Sequence, residues 1–218
     1  MAADLAAKLR ITEVFHSIQG ESSRVGLPTV FVRLTGCPLR CAWCDTEYAF
    51  NGGETTDVAT VLQRVAAFAC KTICVTGGEP LAQKPCLDLL TALCDTGYSV
   101  TLETSGALDV GNVDSRVARI VDVKAPDSGE VERNRWENLG HLTMRDELKF
   151  VLASEADYRW ASQVMHERRL EQLCPVLFSP VQGSLAPSLL AEWVLRDRLP
   201  VRFQLQLHKV LWGAVSGR

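Results

Sequence analysis

Residues 36–46, Gly36-Cys37-Pro38-Leu39-Arg40-Cys41-Ala42-Trp43-Cys44-Asp45-Thr46, hold three cysteines at C-x3-C-x2-C spacing. They follow an apolar stretch, Thr29-Val30-Phe31-Val32-Arg33-Leu34, that reads as a strand. Gly36 and Pro38 favour a tight turn, so one short loop can aim three thiolates at one small object. Thiolates are soft ligands that suit zinc or iron–sulfur centres. A structural zinc site takes four ligands, commonly from two Cys-x-x-Cys arms. The other cysteines, Cys70, Cys74, Cys86, Cys94 and Cys174, offer no second arm. An iron–sulfur cubane held at three irons would leave its fourth iron open to another ligand.

With 218 residues, the chain is expected to form one large domain over 1–218 with a substantial core. Within it, the cysteine loop is placed at 36–50 and a C-terminal tail at 209–218. Hydrophobic content of 47% and charged content of 22% fit a soluble globular enzyme. A net charge of −3 argues against non-specific nucleic-acid binding. The first ten residues, broken by Asp4 and Lys8, make a poor signal peptide. No apolar run approaches the roughly 20 residues a membrane helix requires. These features predict a cytoplasmic protein, without membrane or nucleic-acid partners, whose eight cysteines stay reduced. The five outlying cysteines are expected to act as small buried apolar residues.

Outward from the loop, residues 9–17 alternate as a strand and end in the polar turn Gln19-Gly20-Glu21. Strand 28–35 feeds the cysteines, and a helix follows at 57–69, capped by Thr55 or Thr56. Further strands are expected at 72–76, 98–102, 119–123, 148–152, 175–178 and 201–207. Helices are expected at 85–96, 130–139, 155–170 and 187–198. Strand alternating with helix gives an α/β fold of parallel strands joined by crossovers, too few for a full eightfold barrel and so an incomplete, reduced βα barrel. Small and polar groups follow the strands: Thr76-Gly77-Gly78-Glu79-Pro80, Glu103-Thr104-Ser105-Gly106, Asp122-Val123-Lys124, Ser179-Pro180-Val181-Gln182-Gly183 and Gln206-Leu207-His208-Lys209. The carboxyl ends of parallel strands are where such folds place their sites, so these clusters are expected to line one mouth.

The cysteine loop combined with the downstream Gly77-Gly78-Glu79-Pro80 resembles the radical S-adenosylmethionine (SAM) superfamily. That resemblance implies a [4Fe–4S] cluster on Cys37, Cys41 and Cys44, with SAM chelating the fourth iron. It also implies a 5′-deoxyadenosyl radical as the reactive species, so that the cofactor carries the hard chemistry. Within the superfamily the chain is similar to the 7-carboxy-7-deazaguanine synthase family from Leu9 to Lys209. The shared stretches are Phe15-His16-Ser17-Ile18-Gln19-Gly20-Glu21, Val30 to Cys37, Cys44-Asp45-Thr46, Glu103 to Gly106 and Gln206 to Lys209. The family is known to convert 6-carboxy-5,6,7,8-tetrahydropterin to 7-carboxy-7-deazaguanine and ammonia, with Mg2+, on the route to queuosine.

The resemblance also implies roles for individual residues. Ile18, Gln19 and Gly20 would present backbone groups to the pterin edge, and Thr76 and His208 would face the substrate. Arg33 would pair with the substrate carboxylate. Trp43, Cys44, Asp45, Gly78, Glu103, Asp122, Val123, Lys124, Ser179 and Gln182 would hold SAM. Gly78, with its neighbour Gly77, would let the backbone approach the SAM amino group. Thr46 would offer its hydroxyl to Mg2+, a hard cation that prefers oxygen. An electron donor such as flavodoxin or ferredoxin and a homodimer are further implications. Other members can carry Ser-Pro-Lys where this chain has Asp122-Val123-Lys124. Some also end soon after His-Lys, whereas this chain continues to Arg218. No side chain is singled out as the catalytic base, with Glu21 a candidate by position alone. Two alternatives stay open: an activating enzyme that makes a glycyl radical on a partner protein, and a non-catalytic zinc or iron–sulfur module.

Overall fold

The computed structural model describes residues 2–213, 215 and 217. Strand β1 (Lys8–Ile18) pairs antiparallel with β2 (Pro28–Leu34) on one side and with the short β3 (Glu54–Asp57) on the other. The chain then alternates: α1 (Val58–Ala66), β4 (Thr72–Gly77), α2 (Cys86–Asp95), β5 (Ser99–Thr104) and β6 (Ala118–Val123). Next come β7 (Glu147–Leu152), α3 (Glu155–Arg168), β8 (Val176–Pro180), α4 (Pro187–Arg196), β9 (Arg202–Phe203) and α5 (Leu207–Trp212). One sheet runs β3-β1-β2-β4-β5-β6-β7-β8-β9, and every pair from β2–β4 to β8–β9 is parallel. The order is open, which makes this an incomplete βα barrel.

Local chemistry explains the boundaries. Val58, Val61 and Val65 share the buried face of α1, and Asp57, rather than Thr55 or Thr56, caps it by accepting from Thr60 N at 2.8 Å. Ser154 caps α3 in the same manner. The helices pack on the outer face of the sheet in two apolar clusters. One gathers β1, β2, β4 and β5 with α1 and α2 around Val32, Val75, Leu89 and Leu93. The other gathers β6, β7 and β8 with α3 and α4 around Phe150, Tyr158, Phe178 and Leu190.

Two expected elements change. The helix expected at 130–139 is replaced by two 3₁₀ stretches, Val131–Arg133 and Trp136–His141. Asparagine side chains there anchor the segment to neighbouring strand-end backbone. Asn134 exchanges two 2.8 Å bonds with the Lys124 backbone, and Asn138 donates to the Gly106 and Leu108 carbonyls at 3.0 and 2.9 Å. The strand expected at 201–207 shortens to Arg202–Phe203, because Gln204 turns its amide onto the Ser22 backbone at 2.7 and 2.8 Å. The chain then turns into α5, so His208 sits on a helix instead of a strand. Strand β3 was not expected from the sequence.

At the amino ends of β6 and β7, Arg119 and Asp146 form a bidentate pair with Nε–Oδ1 and Nη2–Oδ2 distances of 3.0 and 3.2 Å. Their side chains are only 7% and 1% exposed. Asp146 also accepts from Arg119 N and Thr143 N. Asp146→Ala should therefore lower the unfolding free energy by about 3–5 kcal/mol, the cost of stranding a buried charge. Urea denaturation checks this, and a loss below about 1 kcal/mol would show that the pair contributes little.

Candidate active site

Residues 36–50 leave β2 through Gly36, whose φ of +97° suits glycine, and return so that Gly36 N donates to Ala49 O at 2.7 Å. The loop is buttressed from the segment after β6 by Ala42 N to Ser128 O at 3.0 Å, and by the bond of Arg40 N to Glu130 Oε1. Cys37, Cys41 and Cys44 are free, half-buried, and line one cavity of about 500 Å³. Burial pushes all three thiols above their ordinary pKa, so metal loading must also displace protons.

The loop is pinned to β4 by a contact that only glycine permits. A Cβ on Gly78 would lie 2.3 Å from Gly36 O and 2.8 Å from Cys37 Cβ; one on Gly77 would lie 2.3 Å from Leu34 O. Glu79 N donates to Gly36 O at 2.8 Å across the same contact. The tight neighbour of Gly78 is thus the start of the cysteine loop, and that of Gly77 is the end of β2. The Glu79 carboxylate, fully buried, accepts from Leu81 N, Thr104 Oγ1, Ser105 N and Ser105 Oγ, binding the β4 turn to the β5 turn.

Deeper in the cavity, buried charges alternate in sign. The Lys149 ammonium on β7 contacts Glu21 from the β1 turn and lies 3.6 Å from Asp122 on β6, which in turn pairs with Lys124 at 3.0 Å. Gln206 Nε2 donates to Glu21 Oε1 at 2.6 Å. Burial pulls the Lys149 pKa down, but Glu21, then Asp122 and Glu103, hold it well above its usual value. Burial pushes Glu21 up, yet Lys149, Gln206 and His208 leave it below the ordinary carboxylate range. Both shifts favour the ion pair. Glu21 loses its contribution as pH falls below about 4, and Lys149 loses its own only above about 10, so the pair is intact across the neutral range.

Glu103 on β5 accepts from Gln19 Nε2 at 3.2 Å and Thr76 Oγ1 at 3.0 Å. The first turn of α5 closes over the β1 turn. Leu207 N donates to Gly20 O at 2.9 Å, and His208 covers Gly20 so closely that a Cβ there would sit 2.1 Å from Nδ1. Lys209 Nζ reaches Asp45 Oδ2 at 2.7 Å; partial burial opposes this, but the ammonium holds that carboxyl down at about 2.

Most residues expected from the sequence meet in this cavity: Ile18, Gln19, Gly20, Arg33, Thr76 and His208; the cysteines with Trp43, Asp45 and Thr46; and Gly78, Glu103, Asp122, Lys124 and Gln182. Two do not line it. Val123 points into the apolar cluster behind β6, since alternate residues of a strand face opposite ways. Ser179 is buried in β8 with no hydrogen-bond partner for Oγ among the described residues. Arg33 lines the cavity while forming an ion pair with Glu13. Gln206 lines it with His208 and Lys209 of its expected strand-end cluster, whereas Lys149, Phe15 and Phe31 were missed. A lone lysine within Leu148-Lys149-Phe150-Val151-Leu152 was the available signal, because an unpaired charge is almost never buried in a strand.

The family model for the radical SAM superfamily matches residues 31–127, from β2 to the turn after β6. The chain is 50% identical over 210 residues to a 7-carboxy-7-deazaguanine synthase of Chlorobaculum tepidum, covering 95% of this chain and 96% of that one. The chain belongs to the 7-carboxy-7-deazaguanine synthase family. Family members of the same name from Koribacter versatilis and Thermoplasma acidophilum are 43% and 35% identical, covering 94% and 95% of this chain and 97% and 99% of theirs. In fold it is similar to QueE from Escherichia coli, with a TM-score of 0.77 at 22% identity over 92% of this chain and 95% of that one. Membership of this radical SAM family implies an enzyme that uses a [4Fe–4S] cluster and SAM. Three soft thiols on one loop fit the cluster.

Two outcomes test the synthase-family site. Gly78→Ala should displace the cysteine loop and reduce iron after anaerobic reconstitution from about four per chain to well under half; full iron loading would show that the loop tolerates a Cβ there. Lys149→Met should cost about 3–5 kcal/mol in urea denaturation, and Glu21→Gln added to it should recover much of the loss. Purely additive effects would show that the two groups do not depend on each other.

Proposed function

We propose that this chain converts 6-carboxy-5,6,7,8-tetrahydropterin to 7-carboxy-7-deazaguanine with release of ammonia, in queuosine and other 7-deazapurine biosynthesis. The observation that carries the proposal is one continuous cavity running from the three thiols to Arg33, Gln19 and His208. It lies at the carboxyl ends of the parallel strands, has room for a cofactor and a bicyclic substrate, and sits in a chain of the synthase family.

Cys37, Cys41 and Cys44 would hold the [4Fe–4S] cluster, which with SAM supplies removal of a hydrogen atom from the substrate. Gly78, Glu103, Asp122, Lys124 and Gln182 would position SAM, with Trp43 and Asp45 beside it; all seven line the cavity. The Arg33 guanidinium would take the substrate carboxylate, and Phe15 and Phe31, stacked 5.0 Å apart at 11°, give it an apolar wall. Ile18, Gln19 and Gly20 would meet the pterin edge with backbone groups, and Thr76 and His208 would face the substrate. Thr46 would give Mg2+ one oxygen ligand, which suits an ion that keeps most of its shell for water and substrate.

The family resemblance supports a flavodoxin- or ferredoxin-type electron donor and a homodimer. The eight free cysteines support a reducing, cytoplasmic setting. No helix among the described residues is long and apolar enough to cross a membrane.

Reduced, reconstituted protein incubated anaerobically with SAM and the carboxylated pterin should yield 7-carboxy-7-deazaguanine by mass spectrometry. Cys41→Ala should yield none. Arg33→Met should lose at least about 30-fold in kcat/KM, the cost of truncating a buried charge contact, with iron content unchanged. Product from Cys41→Ala would refute the cluster assignment.

A further inference from the structure

Glu13 lies on the inner face of β1, outside the set expected from sequence, and directly opposite Arg33 on β2. It gets there through a bulge. Ile11 stands opposite Leu34, yet Glu13, not Thr12, stands opposite Arg33, so one residue of β1 is extra. Bulges re-aim side chains beside active sites. This one brings Glu13 and Phe15 onto the face that carries Arg33 and Phe31.

Arg33 is held on three sides. Glu13 Oε1 accepts from Arg33 Nε at 2.7 Å. The guanidinium carbon stands 5.7 Å from the Phe15 ring centre and 5.8 Å from that of Tyr48. Tyr48 belongs to the cysteine loop, and its hydroxyl donates to the same Glu13 oxygen at 2.8 Å. Both contacts are half-buried, with side-chain exposures of 16% for Arg33 and 22% for Glu13.

A guanidinium offers a carboxylate two fork faces, the Nε–Nη2 edge and the Nη1–Nη2 end. Glu13 occupies Nε and so closes the first. From this geometry we propose that Glu13 is a positioning residue that fixes Arg33 for end-on, bidentate recognition of the substrate carboxylate. Its bond to Tyr48 ties that fork to the loop carrying the three thiols. Glu13 does not line the cavity, so it acts through Arg33. This deepens the functional reading above and rests on Arg33 binding a carboxylate.

The test is steady-state kinetics of reconstituted protein on 6-carboxytetrahydropterin, with tetrahydropterin lacking the carboxylate as competitive inhibitor. Glu13→Ala should raise KM about 10- to 100-fold, the range for losing a hydrogen bond to a charged group, with kcat changed less than about threefold. The inhibitor constant of the decarboxylated analogue should stay within about twofold. Glu13→Gln keeps an acceptor for Nε and should restore most of the KM. In an Arg33→Met background, Glu13→Ala should add nothing further. An unchanged KM would overturn the proposal, as would equal weakening of both pterins or lost iron with KM intact, which mark a role in packing. Failure of the wild-type chain to bind or turn over the carboxylated pterin would overturn the functional reading, and the role of Glu13 with it.

Discussion

The arrangement depends on one contact between two stretches of backbone. Gly36 at the exit of β2 and Gly78 at the exit of β4 approach until no side-chain carbon fits between them. Parallel neighbours in register, Arg33 with Thr76 and Leu34 with Gly77, bring the two exits side by side. The hydrogen bond from Glu79 N to Gly36 O then closes the gap. The position of three thiols is thereby set by sheet geometry instead of by the loop's own preferences. The Glu79 carboxylate carries the same rigidity to β5 by collecting donors from Thr104 and Ser105. A site built on strand ends inherits the stiffness of the strands, which a reaction through a radical needs more than most.

A second constraint is charge. Burying an isolated ammonium or carboxylate is costly, and such groups neutralise unless paired. Here Glu21, Lys149, Asp122 and Lys124 alternate in sign from the β1 turn across β7 to β6. Each element contributes charge that is tolerable only because its neighbour supplies the opposite sign. Elements distant in the chain are thus made interdependent: the turn after β1, two central strands and, through Gln206, the approach to α5. Such networks can specify a unique arrangement at little net gain in stability.

Much of this was legible in the sequence because strong local signals and tertiary demands agreed. The three cysteines, the Gly-Gly pair and the apolar strands each carry their own mark, and the parallel order follows from strand–helix alternation. What escaped was decided by single side chains bonding to distant backbone. Asn134 and Asn138 tie 130–139 to the Lys124 and Gly106 backbone outside the segment. Gln204 stops β9 by bonding to Ser22, far away in sequence. Neither asparagine nor glutamine announces its partner in a linear pattern. Val123 was drawn into the site with its motif neighbours, although strand alternation alone turns it to the core.

The misfits between local pattern and final position also cluster. Lys149 interrupts an apolar strand, Thr12 adds a residue to a hairpin, and glycines replace side chains where β4 would otherwise be packed. Each would weaken an ordinary α/β domain. A sheet free to optimise itself would place Thr12 opposite Arg33, leave Glu13 on the helix-facing side and fill position 149 with a branched apolar residue. That it does not shows what the inner face has been shaped for. Leu9, Ile11 and Leu34 satisfy the core before the bulge, and Glu13, Phe15 and Arg33 serve the cavity after it. Residues that break the rule of their own element are expected where a fold serves a ligand, and here they lie on the inner face of the sheet, beside the three thiols.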